Sequence, residues 1–188
     1  MRLDLDNDNW EEVYDGYGEI KFEDDKIFLL PDIPSDEEPT HSALVTSVFQ
    51  VRDFTLEIKA ATKRQLRQDT EPNAWEVFWI FFNYNPTEDG DKTTNYFIHK
   101  PNGYELGGSW AELEQRFMKT GETVLMVIGE EYTYKICKKG FNLKISINDT
   151  EIINGDFELY DEYGSIGLYC EDSEVVISSI ELSTDDIA

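Results

Sequence analysis

Apolar and polar residues alternate with a period of two along most of this chain, and almost nowhere with the period of a helix. The segment 53–62 is the clearest case. Phe54, Leu56, Ile58 and Ala60 fall on one face, and Thr55, Glu57, Lys59 and Ala61 on the other. Such alternation predicts a strand with one side on a core and one in solvent. Comparable patterns predict strands over 20–22, 26–30, 42–51, 95–100, 104–106, 122–128, 131–138, 141–148, 150–153, 164–170 and 174–182. Asp24-Asp25, Lys139-Gly140 and Asn154-Gly155 read as turns, and 31–39 and 83–94 as loops. The run 73–83 breaks the alternation, being apolar and aromatic on both faces with Glu76 inside it. It predicts a central strand with core beneath and something else above. Ser109-Trp-Ala-Glu112 has capping-box spacing, which predicts a short helix over 110–116. The sum is an all-β chain: a two-sheet antiparallel β-sandwich or jelly roll with at most one short helix, a closed barrel being the alternative. No linker divides it, so one domain over 1–188 is expected, with residues 1–9 as a frayed acidic terminus.

Composition narrows the partners. Aromatics at 13% and hydrophobics at 40% of 188 residues suffice for a sizeable core. Forty acidic against 16 basic residues give a formal charge of −24. That field repels nucleic acid and anionic membranes, and suits neutral sugars, divalent cations or cationic partners. No apolar run approaches the roughly 18 residues of a membrane span. Cys137 and Cys170 show neither metal-ligand nor redox spacing and read as two free thiols rather than a bridge. The first residues lack a signal-peptide pattern. The compartment stays open, an extracellular or cell-surface setting being slightly favoured.

Three stretches carry a resemblance: 10–31, opening on Trp10; Ser42-Ala-Leu-Val-Thr-Ser47 with Arg52-Asp-Phe-Thr-Leu-Glu-Ile-Lys59; and Gly164-Ser-Ile-Gly-Leu-Tyr169 with Glu174–Leu182. Together they resemble the concanavalin A-like lectin/glucanase jelly rolls, with the closest likeness to the 3-keto-disaccharide hydrolase domain family, related in fold to family 16 glycoside hydrolases. The resemblance implies a sandwich that presents a glycan-binding groove on one curved sheet. It does not carry catalysis across. The Glu-x-Asp-x-x-Glu strand of family 16 hydrolases is missing, as are the Arg-x-Glu-x-Arg and Gln-x-His strands of jelly-roll alginate lyases.

Candidate chemistry follows from what a sugar needs: aromatic faces to stack on pyranose rings, and amides, carboxylates and cations for the hydroxyls. Trp75, Asn73, Lys59, Tyr96, Tyr104, Lys100 and Arg67 are the expected binding residues. For hydrolysis two carboxylates are needed, drawn from Glu57, Glu76 and Glu105, with desolvation raising Glu76 toward a working acid. A lyase would use His99 or His41 with Tyr96 and Arg67. A structural calcium ion would draw on Asp15, Glu171 and Asp172, where the opening and closing strands should meet. Three functional readings stand: a carbohydrate-binding or carbohydrate-processing domain, a surface and assembly module with protein partners and no sugar chemistry, or a polysaccharide lyase.

Overall fold

The computed structural model describes residues 2–34, 40–86, 92–110 and 114–185. Fourteen strands follow one another: β1 (Trp10–Tyr14), β2 (Glu19–Glu23), β3 (Lys26–Leu30), β4 (Ser42–Ser47), β5 (Phe54–Gln65), β6 (Phe78–Pro86) and β7 (Lys92–Lys100). Then come β8 (Gly103–Trp110), β9 (Glu114–Gly121), β10 (Tyr132–Lys139), β11 (Asn142–Ile147), β12 (Thr150–Asp156), β13 (Ser165–Glu171) and β14 (Ser173–Ser183). They pair as two seven-stranded antiparallel sheets, ordered β1-β4-β13-β6-β7-β8-β9 and β12-β11-β10-β5-β14-β3-β2. The expected two-sheet jelly-roll sandwich is therefore the fold.

The core lies between the sheets and is built in register. In the first sheet Val45, Leu168, Ile80, Phe97 and Leu106 face one another across five strands. The second sheet answers with Ile153, Ile145, Ile136, Leu56 and Leu182. All ten are buried. At about 1.5–3 kcal/mol for each large apolar side chain taken from water, these two rows hold the layers together. Cys137 and Cys170 are free thiols in different sheets.

Several local expectations are corrected. No helix occurs among the described residues. Trp110 closes β8 and Glu114 opens β9, with the intervening part of the expected helix, 111–113, outside the described residues. In β9, Arg116 and Met118 alternate with exposed neighbours, which is a strand period. The strand expected over 122–128 is instead irregular, because Val124 takes a left-handed φ of 57°. Asn154-Gly155 does not turn but lies inside β12 opposite Lys144 and Leu143. The turn sits at Asn148-Asp149, whose φ values of 46° and 64° fit a two-residue hairpin loop of the primed type. Residues 2–9 do not fray in the structure. Leu3 donates its N–H to the Ile180 carbonyl, and Leu3 and Leu5 are buried.

Candidate functional site

Strand β6 starts at Phe78, not at Asn73, and it organises the outer face of the first sheet. Phe78, Ile80 and Phe82 point into the core, so Trp79 and Phe81 point out. Strict alternation would then send Asn83 outward. A bulge intervenes, with Asn83 at a left-handed φ of 53°, and re-aims Tyr84 to the outer face, its ring stacked 6.5 Å from that of Phe81.

Cross-strand partners share a face, so the register extends the site sideways. Tyr169 lies opposite Trp79, while Phe81 is flanked by Gly167 on one side and Tyr96 on the other, with Gly107 beyond. The two glycines let the aromatic side chains lie close against the sheet. A Cβ at Gly167 would come within 2.8 Å of the Phe81 Cβ, and one at Gly107 within 2.4 Å of the Tyr96 hydroxyl. Phe81 stacks on Tyr169 at 4.6 Å, and Trp79 sits 4.9 Å from Tyr96 and 5.6 Å from Tyr169. Two depressions result. One, of about 620 Å³, reaches from Phe81 and Tyr84 toward Tyr14 and Tyr17; the other, of about 380 Å³, holds Trp79, Tyr96, Gln115 and Glu171. They share Phe81, Thr94, Ser109 and Tyr169, and so form one trough across the strands.

The polar groups of the inner part are held in fixed pairs. Tyr169 donates its hydroxyl to Glu171 Oε1 at 2.7 Å, and Tyr96 donates to Glu105 Oε1 at 2.7 Å. Gln115 Nε2 donates to the Tyr96 oxygen at 2.7 Å, and Lys100 Nζ to Glu105 Oε2 at 2.8 Å. Burial pushes both phenols well above the usual tyrosine range, so they remain donors at any working pH. Burial also pushes the Glu171 carboxyl up to about 7. The negative charges of Asp172 and Glu76 add to this, and the Tyr169 hydrogen bond opposes it.

Beside the inner end lies a second, closed cluster. Arg67 Nε donates to Glu76 Oε1 at 2.7 Å and its Nη2 to Asp172 Oδ2 at 2.7 Å. Asn73 donates both its backbone N–H and its side-chain amide to Glu76, and the His41 N–H donates to Asp172 Oδ1. Glu76 and Asp172 are buried.

Most residues expected at one site are thus dispersed. Of the expected binding set, Tyr96 lines the trough, and Lys100 lies outside it, joined to Tyr96 through Glu105. Arg67 and Asn73 belong to the closed cluster with Glu76. Glu57 and Lys59 lie on the outer face of the opposite sheet, because β5 pairs with β10 and β14 and not with β6. Trp75 is half-exposed on the turn before β6 and lines neither depression, although its carbonyl accepts from Trp79 Nε1. The Tyr104 ring turns into the sandwich, 6.4 Å from Phe97. His99 also faces the core. It stacks edge-on to Tyr132 at 4.8 Å, and its Nε2 is 2.8 Å from the Val124 carbonyl. It cannot meet a sugar in the trough.

For the calcium set, Asp15 lines the outer end of the trough and Glu171 the inner, while Asp172 turns to Arg67. Among the described residues no three His, Cys, Asp or Glu side chains converge as a metal site. Residues absent from the expected site but central to the trough are Phe81, Tyr84, Tyr169, Gln115 and Ser109. Their signal was the outward phase of β6 and its partners, readable only once the pairing is known.

Burial lowers the His99 imidazole to about 4 from its ordinary 6.5. The folded state therefore refuses a proton that the unfolded chain accepts, and stability is lost as pH falls from 6.5 toward 4. Relative to a His99→Phe variant, that acid-side loss should be on the order of 3 kcal/mol in paired urea titrations. Equal pH slopes for the two proteins would contradict the assignment.

No protein-family model and no curated protein matches the sequence. Solved structures do match in fold. The carbohydrate-binding module CBM66 from Bacillus subtilis superposes with a TM-score of 0.72 at 15% identity, covering 94% of this chain and 96% of that one. A Bacillus subtilis protein of unknown function with a galectin-like fold gives 0.70 at 12% identity, covering 98% and 94%. The Bacillus licheniformis beta-glucanase gives 0.65 at 9% identity, covering 98% and 97%. At such identities the likeness is one of fold, the concanavalin A-like jelly roll.

Proposed function

We propose that the trough on the outer face of the first sheet binds a glycan, laid across the strands and not along them. The observation that carries this reading is the aromatic row of Tyr84, Phe81, Tyr169 and Trp79 beside fixed polar groups. Pyranose rings offer apolar C–H faces to such rings, and their hydroxyls find Ser109, Thr94, Ser42 and Gln115 along the same trough. Carbohydrate-acting and carbohydrate-binding structures among the fold neighbours support it. The charge of −24 selects against polyanionic chains. Binding without catalysis is preferred, because the three expected catalytic residues are apart: Glu57 on the other sheet, Glu76 against Arg67, and His99 in the core.

The test is a glycan array followed by calorimetry on the best ligand. Phe81→Ala should weaken binding about tenfold or more through the lost stacking face. Because Phe81 also packs, Ser109→Trp provides a second variant, filling the floor shared by both depressions. Trp75→Ala should leave affinity unchanged. An array without a hit, or full affinity in Ser109→Trp, would defeat the glycan reading and favour the assembly module.

A further inference from the structure

We propose that the inner end of the trough takes a positively charged group, so that the glycan it accepts carries an ammonium, as an amino sugar without its N-acetyl group does. This rests on the glycan reading and names the ligand class within it. The walls there are aromatic. Trp79 lies 4.9 Å from Tyr96 and 5.6 Å from Tyr169, with Phe81 stacked on Tyr169 at 4.6 Å. Aromatic rings that line a depression attract a cation through their quadrupoles.

The polar lining has the matching sign. Glu171 and Glu114 both line this end. Each other buried carboxylate nearby already touches a cation: Glu105 has Lys100, and Glu76 and Asp172 share Arg67. Glu171 accepts from the Tyr169 hydroxyl, but among the described residues no Lys or Arg pairs with it. The phenol protons around it are spent inward. Tyr169 gives its proton to Glu171, Tyr96 to Glu105, and Gln115 an N–H to Tyr96. What remains toward the opening is a pair of carboxylates, Glu171 and Glu114, beside aromatic rings, and the complement of that pairing is a positive charge, which the rings and the carboxylates attract alike. An ammonium, primary or quaternary, meets that condition, whereas a neutral hydroxyl or an acetamide does not. A space of about 380 Å³ admits one such sugar residue.

The experiment compares a β-linked glucosamine tetrasaccharide, quaternised on nitrogen so that its charge is fixed, with its N-acetylated counterpart. Tetramethylammonium chloride is titrated separately against tryptophan fluorescence, with sodium chloride at equal ionic strength as control. The cationic sugar should bind about tenfold more tightly than the acetylated one, and tetramethylammonium should give a saturable change that sodium does not. In the double variant E171Q/E114Q the affinity ratio should fall to near one. The same change of charge on the opposite sheet, E57Q/E181Q, should leave the ratio intact. Equal affinities for the two sugars, a ratio that survives E171Q/E114Q, or no saturable ammonium signal would each overturn the proposal. Should the acetylated sugar bind while ammonium has no effect, the inference fails and the glycan reading stands. Saturable ammonium binding without affinity for either sugar leaves the cation pocket and removes the glycan.

Discussion

Replacing Arg67 by Met is expected to destabilise the fold by about 3–5 kcal/mol, seen as a lower urea midpoint at unchanged denaturant slope. The reason is the cluster that Arg67 closes. It is the cation between Glu76 and Asp172, both inaccessible to water, and it contacts each at 2.7 Å. Met would fill similar space but leave two buried carboxylates without a counter-charge. Each must then ionise in a poor solvent or take up a proton. Burial already raises Asp172 while Arg67 holds it down, so removing Arg67 releases that restraint. The deficit of the variant should therefore shrink at acid pH, where the carboxyls are neutral. The damage would spread beyond the pair, because the cluster ties three separate segments. Leu66 donates to the Asp172 carbonyl, Asp172 donates to His41, and Asn73 closes on Glu76. Arg67→Lys should recover part of the loss, since one ammonium cannot replace the fork that reaches both acids. A loss below about 1 kcal/mol, the scale of a surface ion pair, would show that the cluster is not a structural clamp.

The same cluster shows where local pattern stops being informative. The apolar run 73–83 marked the central strand correctly, but period alone could not say where the strand begins. Asn73 and Glu76 have the three-residue offset of a capping box, and half of that contact forms there: Glu76 accepts the Asn73 N–H, while the Glu76 N–H donates to the Asn73 backbone carbonyl as in a turn. The same offset at Ser109 predicted a helix where two strands end and begin instead. The sandwich itself was legible, because alternation is a property of each strand alone and survives whatever its neighbours are. Site membership is not local. Glu57 and Lys59 have the right phase on β5 but the wrong sheet, and nothing within 53–62 distinguishes the sheets. Tyr169 reaches Trp79 only because β13 inserts between β4 and β6, a crossover between distant segments. The bulge that turns Tyr84 outward is a one-residue event, and Asn83 was its only sign.

Glu171→Gln should make the protein more stable at alkaline pH, by on the order of 2–3 kcal/mol at pH 8, and should have no such effect at pH 4. Burial pushes the folded-state carboxyl up to about 7, from an ordinary value of 4.5. Between those values the folded protein keeps a proton that the unfolded chain has released, so raising pH through that window weakens the fold. The glutamine is neutral throughout and still accepts the Tyr169 hydroxyl, so its curve should lack that decline. The groups that face Glu171 are the same in both proteins: Tyr169 on its own strand, Asp172 and Glu76 from the closed cluster, Tyr96 from β7 and Glu114 from β9. Paired urea titrations at the two pH values read the difference. A variant no more stable than the parent at pH 8 would mean that water or a neighbour solvates Glu171 and that the inner trough is wetter than its walls imply. If the gain is found, the position holds a residue that folding alone would not choose. A carboxylate kept in an aromatic cavity against its own solvation is poised for a ligand that supplies the missing positive charge. Binding of the quaternised tetrasaccharide should then erase the pH 8 deficit of the parent relative to Glu171→Gln, because the bound cation stabilises the ionised carboxyl that burial penalises.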